Sequence, residues 1–90
     1  MMKIERAVDR YNREILSQTS SYTVSGFTPR GGWIREPEVE SLVAAKELAV
    51  RLLTDHPRMR TVLLYAADQH ERHVMVGSYD RQLRYKPVDN

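Results

Sequence analysis

Apolar residues recur at helical spacing over residues 3–17, where Ile4, Ala7, Val8, Tyr11, Ile15 and Leu16 form one stripe. Lys3, Glu5, Arg6, Asp9, Arg10, Arg13 and Glu14 take the other side, so the pattern predicts an amphipathic helix. Ser17-Gln18-Thr19-Ser20-Ser21 ends it with side chains that compete for backbone hydrogen bonds. A second helix is predicted over 37–54, with Pro37 at its first position and Glu38 and Glu40 near its positive end. Its broad apolar face runs through Val39, Leu42, Val43, Leu48, Ala49, Leu52 and Leu53. Asp55-His56-Pro57 stops it, because the residue before proline is pushed out of helical geometry.

Between and after the helices the period changes to strands. Residues 22–27, 60–66 and 72–79 are rich in β-branched and aromatic side chains. A short run at 83–86 predicts a further strand, and 87–90 a frayed tail. Residues 28–36, containing Pro29-Arg30-Gly31-Gly32, read as an internal loop. The predicted fold is α+β: two helices on a small antiparallel sheet, in the order α-β-α-β-β(-β), with a C-terminal meander. Residues 1–90 are expected to form a single domain.

Turn lengths then assign faces. With Asp80-Arg81 as a two-residue turn, Val74, Val76, Leu83 and Tyr85 share one face, and Met75, Gly77, Tyr79, Arg84 and Lys86 the other. An even loop at Asp68–Glu71 adds Leu63 and Tyr65 to the first face and Val62 and Leu64 to the second; an odd loop or a bulge reverses that addition. Neither face of 61–79 alternates cleanly, whereas a one-sided sheet should. Two readings follow. Either a helix covers each face, or one face meets a partner through Val62, Leu64, Met75 and Tyr79, edged by Arg84 and Lys86.

Composition narrows the setting. There is no cysteine among 90 residues, which excludes disulfides, thiolate metal sites and cysteine nucleophiles. A secreted domain this small usually carries disulfides. No apolar run of signal-peptide or membrane-span length occurs, so the expectation is cytoplasmic, with no membrane partner. The 14 basic and 12 acidic residues give a net charge of +2 and are mixed along the chain. That differs from the clustered basic face of a dedicated DNA binder. Eleven of the 14 basic residues are arginine, which is also what a GC-rich genome encodes. Small arginine-rich chains without cysteine are common products of bacterial genomes and their mobile elements.

Candidate chemistry is sparse. His70 and His73 flank a polar turn with Asp68 and Glu71, but lack the four-ligand spacing of a structural metal site. Asp55 and His56 are explained by the helix stop. No serine sits in a nucleophile elbow, and neither a catalytic residue, a metal nor a cofactor is expected. Arg30-Gly31-Gly32-Trp33-Ile34-Arg35 is more informative. No helix follows the glycines directly, which argues against a nucleotide-phosphate loop. A lone tryptophan usually fills core, so Trp33 is expected to fold back on helix 37–54; exposed, it would stack a base.

The leading expectation is a non-catalytic protein-binding domain: a small adaptor, inhibitor or regulator that engages another protein or forms a homodimer through the sheet face. The alternative is a nucleic-acid-binding accessory using Arg6, Arg10, Arg13, Arg30, Trp33 and Arg35.

Overall fold

The computed structural model describes residues 7–88. Its elements are α1 (Ala7–Ser17), β1 (Thr19–Thr28), β2 (Gly32–Arg35), α2 (Leu42–Asp55), β3 (Thr61–Asp68), β4 (His73–Tyr79) and β5 (Tyr85–Pro87). All neighbouring strands are antiparallel, in the order β2-β1-β3-β4-β5. The α+β class, both helices and the C-terminal meander agree with the sequence pattern.

Besides β5, which runs through Pro87 paired with Gly77 where a frayed tail was expected from residue 87, three local features depart from that pattern. First, residues 28–36 are not all loop, because β2 lies inside them. The Thr28 hydroxyl accepts from the Gly31 N–H at 2.9 Å and donates to the Gly32 carbonyl at 3.3 Å. Gly32 takes φ +70°, which glycine adopts without steric cost. The chain therefore reverses, and Trp33 and Ile34 pair with Phe27 and Gly26. Second, α2 begins five residues later than Pro37 suggests. Ser41 caps it, its hydroxyl accepting from the Ala44 N–H at 3.1 Å. The residues before Ser41 stay extended because Val39 exchanges two backbone hydrogen bonds with Tyr22, at 2.8 and 3.0 Å. Third, the predicted apolar stripe of α1 is only partly buried. Ile15 is fully buried, while Val8 and Tyr11 are exposed. Lys3 to Arg6 of that predicted helix lie outside the described residues.

Both helices pack on one face of the sheet. Ala45, Ala49, Leu52 and Leu53 of α2 meet Val24, Val62, Leu64, Tyr79 and Met59. Ile15 of α1 closes a neighbouring cluster with Ala66 and Val74. Burying each of the valine, leucine, isoleucine and methionine side chains among them stabilises by roughly 1.5–3 kcal/mol, and each alanine by less. Gly26 lies on the same face, and a Cβ there would overlap the Met59 sulfur. The missing side chain lets Met59, itself fully buried, lie across β1.

This arrangement corrects the proposed contact face. Val62, Leu64 and Tyr79 are core residues, not surface. Both C-terminal turns have three loop residues, so the two-residue turn at Asp80-Arg81 is replaced by a longer one and the odd-loop alternative holds at Asp68–Glu71. Asp68 pairs through to Arg72, and Asp80 to Arg84. In each, the aspartate Oδ1 accepts two backbone N–H groups, from residues i+2 and i+4, at 2.9–3.1 Å. In each, Oδ2 accepts from the arginine Nε, at 2.6 Å in the first turn and 3.0 Å in the second. Residue i+3, Glu71 or Leu83, takes φ 61°, the left-handed position of a three-residue hairpin loop. A bulge in β4 adds a second shift: Leu64 pairs with Gly77 but Tyr65 with Met75, leaving Val76 without a partner on β3. Val74 and Tyr79 thereby share the helix-covered face, and Met75 goes to the opposite one.

Candidate nucleic-acid interface

Strand alternation and register define the face that neither helix covers. On β1 it carries Ser21, Thr23, Ser25 and Phe27; on β3 it carries Thr61, Leu63, Tyr65 and Ala67. Trp33 and Arg35 of β2 join at one edge, across from Phe27 and Ser25. His73, Met75 and Ser78 of β4 and Lys86 of β5 complete it. No aspartate or glutamate occupies any of these positions. The charge mixed along the sequence is therefore sorted by the sheet, and among the described residues no carboxylate shares a strand position on this face with Arg35 and Lys86.

Aromatic exposure is concentrated at the β1–β2 end. Trp33 is 56% exposed and Phe27 37%. Their ring centroids lie 5.3 Å apart with planes tilted by 55°. This overturns the expectation that Trp33 folds back on α2. Pairing with Phe27 fixes its parity opposite to that of Ile34, which packs toward the core. Beside the pair, Ser25, Trp33, Arg35, Tyr65 and His73 line a depression of about 500 Å³. Leu63, Tyr65 and Met75 are half-buried along the middle of the face. Thr23, across from Tyr65, buries its hydroxyl without a hydrogen-bond partner.

The other predicted residues scatter. Arg10 and Arg13 lie on α1, in the helix layer over Ala66 and Val74, so they do not join Trp33. Arg6 lies outside the described residues. Arg30 sits at the tip of the β1–β2 hairpin, next to the aromatic pair but facing a separate cleft. Of the residues assigned to a protein partner, Met75 and Lys86 are on the open face. Arg84 is tied to Asp80 within the β4–β5 turn.

Asp68, Arg72 and Lys46 make contacts that hold the fold together. Burial works to raise the Asp68 carboxyl, but hydrogen bonds from Arg72 and His70 outweigh it and hold the group below its ordinary value. Arg72 also reaches Glu14 at 3.9 Å and lies 5.5 Å from the Tyr11 ring centre, joining the β3–β4 turn to α1. Lys46 lies 4.1 Å above the Tyr85 ring, attaching α2 to β5. His70 lies in the Asp68 turn, and among the described residues no three His, Asp or Glu side chains gather as a metal cluster. Among them, too, no helix is long and apolar enough to cross a membrane.

Sequence reasoning missed Phe27, Leu63 and Tyr65 as members of this face. The repeated spacing Asp-x-x-x-Arg in Asp68–Arg72 and Asp80–Arg84 was the available signal. Read as two three-residue hairpin loops, it would have corrected the register at both turns. Comparison with protein-family models, curated proteins and solved structures finds no match.

Proposed function

We propose that this domain is a non-catalytic binder of single-stranded nucleic acid, which lies across the open face of the sheet. One observation carries the reading: the exposed Phe27–Trp33 pair stands on a face with Arg35, His73 and Lys86 whose strand positions, among the described residues, include no carboxylate. Every base has a π-face, so aromatic platforms hold strands with little regard for sequence, while cations track the phosphates. A duplex hides those base faces within its stack, which is why the proposed ligand is single-stranded. Trp33 would stack a base, with Tyr65 beside it in the depression, and Arg35 would take an adjacent phosphate.

Trp33 is the sole tryptophan, so its fluorescence reports the site directly. A single-stranded oligonucleotide at low salt should quench it, and duplex of the same length should quench it less. Trp33→Ala should weaken binding measured by anisotropy of a labelled strand. Unchanged fluorescence and no anisotropy rise at about 50 mM salt would refute the proposal, since electrostatic binding is strongest there.

A second reading rests on Leu63, Tyr65 and Met75, which give the middle of the open face an apolar character suited to another protein or a second copy. It keeps the idea of a small adaptor or regulator but moves the contact to the face opposite Val62, Leu64 and Tyr79. Sedimentation should then show a dimer that Leu63→Asp converts to monomer. A monomeric mass at high concentration would exclude the homodimer.

A further inference from the structure

A second cationic feature lies at the end of the sheet, formed by residues other than those of the open face. The β1–β2 tip, the α2–β3 connection and the β4–β5 turn enclose a cleft of about 660 Å³. Arg30, Arg58, Arg60 and Arg81 line it together with His56, and among the described residues no aspartate or glutamate does. Pro29, Pro57 and Ile34 provide apolar wall. The volume lies within the range of small-molecule sites, roughly 300–1,000 Å³.

The cleft adjoins the C-terminus of α2, where a helix normally presents partial negative charge. Arg81 changes that sign. Its Nη1 donates to the carbonyls of Leu53 at 2.8 Å, Met59 at 3.1 Å and His56 at 3.3 Å. These acceptors are neutral, so the hydrogen bonds satisfy the helix end without cancelling the arginine's charge. A full positive charge then outweighs a helix-end charge of about −0.5. Met59 N–H bonds to the His56 carbonyl at 2.9 Å, and Arg60 N–H to the Phe27 carbonyl at 3.2 Å. The segment bearing Arg58 and Arg60 is thereby fastened to both α2 and β1. Among the described residues no carboxylate pairs with Arg30, Arg58 or Arg60. Like charges that line one cleft repel wherever they come within a screening length of about 8 Å, and an anion bound between them relieves that repulsion.

We propose that this cleft binds a phosphate dianion, through Arg30, Arg58 and Arg60 as direct contacts and Arg81 as the residue that positions the floor. Arginine suits this ligand because its planar fork donates two parallel hydrogen bonds to phosphate oxygens. The phosphate could be carried by a free polyphosphate or stand at the end of a nucleic-acid strand; the site chemistry is shared.

Inorganic pyrophosphate is the first probe, titrated by calorimetry into the full chain and followed by thermal unfolding, with sodium chloride at matched ionic strength as control. Saturable heat and a rise in Tm beyond the chloride control are expected, since a ligand that binds only the folded state stabilises it. Arg58→Gln and Arg60→Gln should each weaken pyrophosphate by about tenfold or more while leaving unliganded Tm unchanged or raised. Trp33→Ala should leave it unaffected, which separates this site from the strand-binding face. Competition assigns the source. Displacement of pyrophosphate by an oligonucleotide bearing a terminal phosphate, but not by its hydroxyl-ended form, supports a strand end. Displacement by neither, with saturable pyrophosphate binding retained, supports a free polyphosphate. Pyrophosphate effects no larger than those of chloride, or unchanged in Arg58→Gln and Arg60→Gln, overturn the proposal.

Discussion

Replacing Trp33 by alanine and Arg35 by glutamine should damage strand binding in two distinguishable ways. Trp33 contributes stacking, which involves no counterion release. Stacking of one base is worth about 1–3 kcal/mol, so Trp33→Ala should weaken binding by about 5- to 150-fold at every salt concentration. Arg35 contributes charge. For single strands each neutralised phosphate changes the slope of log affinity against log salt by about −0.7. With Arg35 and Lys86 as the fixed cations of the open face, the slope should be about −1.4. A change from 50 to 200 mM salt then costs about sevenfold in affinity. If the strand also engages Arg30, Arg58 and Arg60 at the end of the sheet, five phosphates are neutralised and the loss becomes about 130-fold. Arg35→Gln should reduce the magnitude of the slope by about 0.7, and Trp33→Ala should leave it unchanged. Fluorescence anisotropy at four or five salt concentrations measures both quantities. A slope altered by Trp33→Ala but untouched by Arg35→Gln would refute this division of roles.

The fold makes its own predictions. Gly26→Ala should destabilise by about 1–3 kcal/mol, because the new Cβ meets a buried Met59 that has no exposed side to move into. For a domain of this size each kcal/mol lowers Tm by about 4–8 °C; an unchanged Tm would show that Met59 repacks freely. Met59→Ala should cost about 2–5 kcal/mol by itself, and combined with Gly26→Ala less than the sum, as urea titration of the double-mutant cycle would measure. The folded Asp68 carboxyl is held below its ordinary value of 3.8, so the stability it supplies is present above that pH and is lost as pH falls through the lower folded value. Asp68→Asn should therefore lower Tm at neutral pH and flatten the acid limb of Tm against pH, and an unchanged limb would rule the turn out as an acid-sensitive element. Burial raises the Tyr79 and Tyr85 hydroxyls above 10, so stability should also fall as pH rises past about 10, less steeply in Tyr79→Phe.

Periodicity along the chain was enough to establish two helices, an antiparallel sheet and a C-terminal meander. Those properties follow from short-range alternation and from residues such as Pro57, whose conformational restriction is local. The stop of α2 was legible for the same reason. Its start was not, because Pro37 favours a helix locally while Tyr22, far away in sequence, holds Val39 in a β-bridge. The open face depended even more on distant structure. Side-chain parity survives only if every turn length and bulge is known; two three-residue loops and the bulge at Val76 moved Val62, Leu64 and Tyr79 into the core. Trp33 reached the surface because the hairpin set it opposite Phe27, not because of any property of tryptophan. Charge shows the contrast in its simplest form. Mixed signs along the chain gave no hint of a basic surface, since sequence neighbours point to opposite sides of a strand. Folding brought Arg30, Arg58, Arg60 and Arg81 together from three connections, and no carboxylate among the described residues takes a strand position on the face that carries Arg35 and Lys86.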